Sequence, residues 1–251
     1  MKNIILIGSG NVATHIGIAL KNSNFAILQV YSKSIQNAKA LAKKLDTHFT
    51  NDLSKLKSAD LIIVSIKDDA ISRVLSQIKN TAVVHTSGSI GLNVFKQQFS
   101  NYGVFYPVQT FNKEVDLNIS EIPFCIEGNS LEFENQLFKI AKILSNNVVK
   151  MNSKQRRKLH IAAVFACNFS NHMYSIANEL LEKNDIDFKI LLPLIKKTIT
   201  NLEKKKPKEV QTGPAKRNDK VIIREHIDTI KEKEIKELYQ KISANIIKFH
   251  E

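Results

Sequence analysis

The chain of 251 residues contains no tryptophan, only two cysteines, five prolines and eight glycines. Cys125 and Cys167 both lie in apolar runs. They offer no disulfide framework and no metal-ligand spacing, so we expect no metal site and a reducing, cytoplasmic compartment. The longest apolar runs are too short to span a bilayer, and the run at Ile4–Ile7 stops at Gly8. We therefore expect neither a membrane-spanning segment nor a signal peptide.

Acidic residues are also scarce relative to basic ones. The 37 Lys and Arg residues outnumber the 24 Asp and Glu residues, which gives a formal net charge of +13. The basic residues are spread along the whole chain rather than gathered in a tail, so we expect no nucleic-acid partner. Hydrophobic residues make up 43% of the chain, which is enough for a substantial core in one or two domains.

The most informative feature that is present is a glycine motif near the N-terminus. An apolar run of strand length ends in Gly-x-Gly-x-x-Ala at Gly8, Gly10 and Ala13, and a helical pattern follows. This context is typical of dinucleotide binding, although a glycine turn without a ligand is the simpler alternative. Gly8 would make the tight turn, and Gly10 would let a pyrophosphate approach the backbone. The backbone N–H groups of Asn11 and Val12 would face the phosphates.

The end of the second strand indicates which nucleotide is bound. This strand, Ala26–Tyr31, is followed by Ser32, Lys33 and Ser34, with no Asp or Glu. A carboxylate there would accept hydrogen bonds from the ribose of NAD, whereas hydroxyls and a lysine suit the 2′-phosphate of NADP. We therefore predict NADP as the cofactor. The alternative is that these residues simply open the next helix, with Ser34 as its N-cap.

Strands and helices alternate up to about residue 152, and helical patterns alone follow. We predict an α/β fold, with a Rossmann-type parallel sheet domain over residues 1–152 and an all-helical dimerisation domain over residues 153–251. The predicted elements include a strand over residues 81–86 and a helix over residues 91–100. A single long helix is expected over residues 153–183, which contain no Gly or Pro.

These pieces resemble a known group of proteins. The motifs that carry the resemblance are the glycine motif at residues 8–13 and the segments at residues 59–63, 68–71, 85–88, 106–111, 160–169 and 212–219. The chain resembles two-domain Rossmann oxidoreductases such as pyrroline-carboxylate reductases and 6-phosphogluconate-type dehydrogenases. It is most similar to an uncharacterised bacterial branch whose C-terminal part is a domain of unknown function. That branch usually has His before the proline at 107, where this chain has Tyr106.

The resemblance implies roles for residues that follow the strands. Ser65 and Ile66 would line the ribose and nicotinamide side of the cofactor, and Ser87 would lie near the reacting centre. We expect the active site in a cleft between the two domains, because the strand ends present loops at one edge of the sheet and the polar residues of the largely apolar long helix need polar surroundings. Ser87 and Pro107 are expected on one wall of that cleft, with residues of the long helix on the other. An ordinary turn at residues 87–88 is the simpler alternative.

The long helix carries the candidate catalytic residues. Dehydrogenase relatives place a Lys and an Asn four positions apart on this helix, but here Lys158 is followed by Ala162. By resemblance, His160 could donate the proton, because imidazole titrates near neutral pH, and Asn168 could orient the substrate. Alternatively, both are structural polar residues inside a helical core or a dimer seam.

The sequence therefore predicts an NADP-dependent oxidoreductase that moves a hydride between NADP(H) and a small carbonyl, imine or hydroxy compound. The alternative is a dinucleotide-binding redox sensor or interaction module without turnover. Because the long helix is largely apolar, we expect a homodimer formed through the C-terminal domain. The loop at residues 212–219 is either a turn that leads into a helix cap or a loop that closes over the site with Arg217.

Overall fold

The structure is a computed structural model that describes residues 1–79 and 82–251. It contains two compact units, Met1–Asn168 and Phe169–Glu251. The predicted boundary after residue 152 marks the change from a mixed to an all-helical pattern. The first helix after that boundary nevertheless belongs, by its contacts, to the first unit.

The first unit is built on an eight-stranded sheet in the order β3-β2-β1-β4-β5-β6-β7-β8. All neighbouring strands are parallel except β6 and β7, which are antiparallel. This confirms the predicted Rossmann-type sheet and adds two strands, β7 and β8, that run opposite to the other six. The strands are β1 Asn3–Ile7, β2 Ala26–Tyr31, β3 His48–Thr50, β4 Leu61–Val64, β5 Val83–His85, β6 Tyr102–Pro107, β7 Phe124–Gly128 and β8 Val148–Lys150.

Helices cover both faces of this sheet. Alternate residues of β1 supply the two main core clusters, with Ile4 and Leu6 in one and Ile5 and Ile7 in the other. Because successive strand residues point to opposite faces, both faces of the sheet must be buried. The helices of the first unit are α1 Asn11–Asn22, α2 Ile35–Leu45, α3 Asp68–Leu75, α4 Leu131–Leu144 and α5 Ser153–Ala163.

Two predicted elements differ in the structure. The prediction of a helix over residues 91–100 was wrong, because only a 3₁₀ turn forms there, at Leu92–Phe95. Lys96 and Gln97 adopt positive φ angles of 48° and 56°, and this left-handed backbone ends the turn. The strand expected over residues 81–86 is observed as β5, while its predicted first residue, Thr81, lies outside the described residues.

The long helix over residues 153–183 forms, but it is not a regular α-helix throughout. A π-helical segment, Val164–Phe169, separates α5 from the next α-helix, α6 Ser170–Glu182. A π segment bonds each N–H to the fifth preceding carbonyl, so residues beyond it no longer follow a spacing of 3.6 residues per turn. The π segment begins after His160 and contains Asn168, so regular α-helical spacing does not give the relative orientation of these two residues.

The second unit is entirely helical. Besides α6 it contains α7 Leu192–Leu202, α8 Pro207–Val210, α9 Lys220–Thr229 and α10 Lys233–His250. Of residues 169–251, all of which the structure describes, only Ala215 and Ser243 are buried. No helix within the described ranges is both long enough and apolar enough to cross a membrane.

Candidate active site

The first unit contains a large cavity along the carboxyl ends of β1, β2, β4 and β5, with a volume of about 1430 Å³. Open α/β sheets generally bind their ligands at this edge. All ten predicted cofactor residues line the cavity, and so does His160. The ten are Gly8, Gly10, Asn11, Val12, Ser32, Lys33, Ser34, Ser65, Ile66 and Ser87.

The two glycines of the motif have different surroundings. Gly8 has a φ of +120°, and a Cβ built there would lie 2.1 Å from the carbonyl oxygen of Ser65. Only glycine fits this turn. Gly10 has an ordinary extended backbone, and a Cβ built there would meet no atom within 4 Å. The fold therefore requires glycine at position 8, whereas position 10 faces open space inside the cavity.

Helix α1 begins at the cavity wall. Its N-cap, Gly10, has no side chain with which to cap the first N–H groups. The Asn11 side chain is used elsewhere, since Nδ2 donates to the carbonyl of Phe111 at 2.8 Å and Oδ1 accepts from the N–H of Lys113 at 3.3 Å. The backbone donors at the start of α1 are therefore available to an anion.

The end of β2 supplies hydroxyls and a cation. The Ser9 hydroxyl donates to the Ser32 hydroxyl at 2.9 Å, which ties the glycine loop to this strand end. The Ser34 hydroxyl accepts from the N–H of Asn37 at 3.3 Å and is the N-cap of α2. Lys33 is exposed beside them at the cavity. Ser34 therefore both caps α2 and lines the cavity, so the two interpretations of this residue are compatible.

Sequence reasoning missed the contribution of α3 to the cavity. Asp69, Arg73 and Gln77 line it, together with Tyr31 and Leu53. The first three lie four residues apart, which puts them on one side of α3 and its C-terminal turn. That spacing was the available signal, but it is indistinguishable in sequence from an ordinary solvated helix face.

The other end of the cavity contains Tyr106, Gly88 and His160. The Tyr106 hydroxyl lies 3.2 Å from Nδ1 of His160, and the two rings meet edge to face with centroids 6.1 Å apart. A Cβ built on Gly88 would lie 2.7 Å from Nδ1 of His160 and 2.8 Å from Cζ of Tyr106. Glycine at position 88 is therefore what lets these two side chains meet.

A structured loop after β5 presents Gly88. The Ser87 hydroxyl accepts hydrogen bonds from the N–H groups of Ser89 and Ile90, both at 3.1 Å. The Ser87 N–H donates to Nδ1 of the fully buried His85 at 3.2 Å. Ser87 thus lines the cavity and also fixes the turn, so the functional and structural interpretations of this residue are compatible.

A buried ion pair holds the start of α5 against this loop. Arg156, only 1% exposed, pairs through Nη1 with the Glu127 carboxylate of β7 and donates through Nη2 to the carbonyl of Ile90. The backbone N–H of Ser153 donates to the same carboxylate at 2.8 Å. His160 follows Arg156 by about one turn, so these contacts set where its ring lies.

Burial determines the charge state of two nearby groups. Burial, together with the Arg156 guanidinium, lowers the pKa of His85 to about 3, so this ring is neutral at ordinary pH. Burial raises the pKa of Tyr106, assisted by Cys125 and opposed by Arg156, so its phenol keeps its proton. The Tyr106 hydroxyl can therefore both donate and accept hydrogen bonds.

Two residues expected near the reacting centre are not part of the cavity lining. Pro107 does not line the cavity, whereas its neighbour Tyr106 does. Asn168 is exposed at the end of the π segment and does not line the cavity. It follows His160 by eight residues, a rise of about 12 Å along a helix. The first unit therefore brings His160, but not Asn168, to the cofactor residues.

Two families match the chain, one at each end. Residues 3–87 match the family described as NADP oxidoreductase, coenzyme F420-dependent. Residues 122–246 match the domain of unknown function DUF2520. A crystal structure of a candidate NADP oxidoreductase from Bacteroides fragilis is 42% identical, covers 98% of both chains and has a TM-score of 0.94. The chain belongs to this two-domain family. No curated protein matches it.

More distant structures share the fold. A protein from Thermotoga maritima is 23% identical, with a TM-score of 0.71 over 98% of both chains. The 1-pyrroline-5-carboxylate reductase of Streptococcus pyogenes is 14% identical, with a TM-score of 0.62 over 98% of both chains. An imine reductase from Myxococcus stipitatus, solved with NADP⁺, is 13% identical, with a TM-score of 0.64 over 98% of this chain and 92% of that one.

Proposed function

We propose that this protein is an NADP-dependent oxidoreductase that transfers a hydride between NADP(H) and a small carbonyl, imine or hydroxy compound. The observation that carries the proposal is one cavity that contains both the glycine loop and the Tyr106–His160 pair. A site that only sensed the dinucleotide would need the loop but would not need an imidazole at the far end. Family membership supports the same conclusion.

The residues present fit this cofactor. The open space at Gly10 and the uncapped start of α1 would accept the pyrophosphate. The hydroxyls of Ser32 and Ser34 and the charge of Lys33 would bind the 2′-phosphate. Ser65 and Ser87 line the same cavity as His160 and would lie on the nicotinamide side. When bound, NADPH supplies the hydride that the reduction needs.

The chain itself supplies the proton. In its charged form, the His160 imidazolium would give one proton to the oxygen or nitrogen atom that gains negative charge as the hydride arrives. The ring is then left neutral and takes a proton back from water. His160 is half-buried at the cavity wall, where a reactant can approach it. Because Asn168 does not line this cavity, its orienting role stays a prediction from sequence.

The cofactor preference is tested by calorimetric titration with NADPH and NADH. NADPH is expected to bind more tightly, because only NADPH carries the 2′-phosphate. Lys33→Ala should weaken NADPH binding by roughly tenfold and leave NADH binding nearly unchanged, since it removes a charge-assisted contact. Lys39→Ala is the matched control, because Lys39 is exposed on α2 outside the cavity. Equal affinities for the two nucleotides in the unaltered protein would contradict the proposal.

The reaction is tested with His160→Gln. This variant should still bind NADPH, while turnover falls roughly 10²–10⁴-fold, as expected for a lost general acid. NADPH oxidation would be followed with a cyclic imine, a 2-keto acid and a simple aldehyde as probes. His48→Gln, on an exposed part of β3, controls for the substitution itself. Tight NADPH binding with no turnover of any probe would instead favour the redox sensor.

We also propose that two copies of the chain form a homodimer through the second unit. Its helices expose large apolar side chains, among them Ile190, Leu194 and Val221, each more than 60% exposed. Exposed apolar surface on this scale is typical of a subunit interface. An obligate interface of this kind buries about 2,000 Å² or more.

Both cysteines are free thiols, which is consistent with the cytoplasmic location proposed from the sequence.

A further inference from the structure

The two nitrogens of the His160 ring have different surroundings. Nδ1 lies 3.2 Å from the Tyr106 hydroxyl and on the edge of the ring that faces Gly88. Within the described residues, neither the His160 ring nor the Tyr106 hydroxyl has any other hydrogen-bond partner. We infer that Tyr106 is a positioning residue that engages Nδ1 of His160 and thereby leaves Nε2 as the nitrogen that gives the proton to the reactant. This inference rests on the proposed function.

A hydroxyl suits this task because it can pair with Nδ1 in both charge states of the ring. When His160 is charged, Nδ1–H donates to the Tyr106 oxygen, and Nε2–H is the proton available to the reactant. After transfer from Nε2, the ring is neutral and keeps its other proton on Nδ1, still bonded to the same oxygen. Nε2 then regains a proton from water. In the neutral ring that carries its proton on Nε2, Nδ1 has no proton, and the Tyr106 hydroxyl would donate to Nδ1 instead.

The surroundings of Tyr106 support a fixed position for this hydroxyl. Tyr106 is only 9% exposed and lies in β6, a strand that is paired with β5 on one side and with β7 on the other. Burial raises its pKa, so the phenol does not ionise under ordinary conditions. On the other side, Arg156 and Ser153 anchor the start of α5. Both partners of the hydrogen bond are therefore held by the fold.

Nuclear magnetic resonance tests the pairing without any substrate. The ring nitrogens of ¹⁵N-histidine-labelled protein report hydrogen bonding directly, and His160→Gln identifies the His160 signals among those of the seven histidines. Tyr106→Phe should shift the Nδ1 signal of His160 much more than the Nε2 signal. Tyr102→Phe, the same change on the same strand but outside the cavity, should shift neither. An unchanged Nδ1 signal in Tyr106→Phe would overturn the inference whether or not the protein turns over.

Kinetics test whether the pairing matters. In Tyr106→Phe the kcat with a probe reduced by the unaltered protein should fall roughly 10- to 100-fold, as for a misplaced catalytic group, while the KM for NADPH stays the same. Gly88→Ala provides a second variant, because its methyl group would separate the two rings without altering either. An unchanged kcat in both variants would overturn the inference. Absence of turnover in the unaltered protein would instead overturn the proposed function, and the Nδ1 signal alone would then decide the pairing.

Discussion

The two units of this chain bury apolar surface to very different extents. In the first unit, all four residues of β4 are buried, and each of the other seven strands has at least one buried residue. In the second unit, Ser243 of α10 is the only buried helical residue, and Ala215, in the turn between α8 and α9, is the only other buried residue. The first unit has a core of its own on each face of its sheet. Residues 169–251 leave many large apolar side chains exposed, and this is the observation behind the proposed dimer.

The largest expected effect concerns tight packing at the glycine turn of the first unit. Gly8→Val should prevent folding or destabilise it severely, because its Cβ would overlap the Ser65 carbonyl and its φ is positive. Gly10→Val should fold normally, since its Cβ meets no atom within 4 Å. It should nevertheless abolish NADPH binding by filling the space of the pyrophosphate. Circular dichroism and calorimetry would measure both properties, and NADPH binding by Gly10→Val would contradict the cofactor site.

The comparison between the units is tested most directly by a matched pair of lysine substitutions. Ile199 in α7 is 54% exposed, and Ile143 in α4 is 58% exposed. If the second unit forms the dimer interface, Ile199→Lys should weaken association roughly 100-fold or more, because it buries a charge in an apolar contact. Ile143→Lys should leave association unchanged. Light scattering over a dilution series would decide, and a monomeric unaltered protein would refute the dimer.

The buried ion pair below the active site should contribute strongly to the first unit. Arg156→Met should lower the free energy of unfolding by about 3–5 kcal/mol, because it leaves the Glu127 carboxylate buried without its cation. Adding Glu127→Gln should restore part of that loss, since the uncompensated charge is then gone. Urea denaturation of the three proteins would measure the effect. A double variant less stable than Arg156→Met would show that the ion pair is not the cause.

A smaller effect should appear as a dependence of stability on pH. Burial holds the pKa of His85 at about 3 in the folded protein, against an ordinary value of 6.5. The unfolded chain therefore binds the extra proton at a higher pH than the folded one, and stability falls as the pH drops below about 6.5. We expect stability to fall steadily as the pH drops from 6.5 towards 3. His85→Gln should flatten this slope in urea denaturation, whereas His48→Gln should not.

The grouping of the predicted cofactor residues around one cavity could be foreseen from the sequence, because its determinants are local. Gly8 and Gly10 lie between a strand and a helix, and Ser32 to Ser34 directly follow the next strand. Parallel strands bring all such segments to one edge, so neighbours in the motif become neighbours in space. The same logic placed Ser65 and Ser87 on the cavity wall.

The remaining features of the site could not be predicted, because they depend on contacts between residues that are distant in the sequence. Arg156 stands in a charged stretch and looks like a solvated residue, yet it is buried because Glu127 and the carbonyl of Ile90 accept its protons. The Tyr106–His160 pair joins residues 54 positions apart. The π segment likewise has no signature in hydrophobic spacing, and it contains Asn168, which does not line the cavity that His160 lines.

The contrast between the two glycines of the motif also bears on how such sequences diverge. Position 8 is constrained by the backbone itself, so every descendant that keeps the fold should keep glycine there. Position 10 is constrained only by what enters the cavity, because a side chain would meet no protein atom within 4 Å. A lineage that ceased to use a dinucleotide could accumulate any residue at position 10 at little cost to folding. Glycine at position 10 is therefore a marker by which nucleotide-using homologues can be told from those that retain only the architecture.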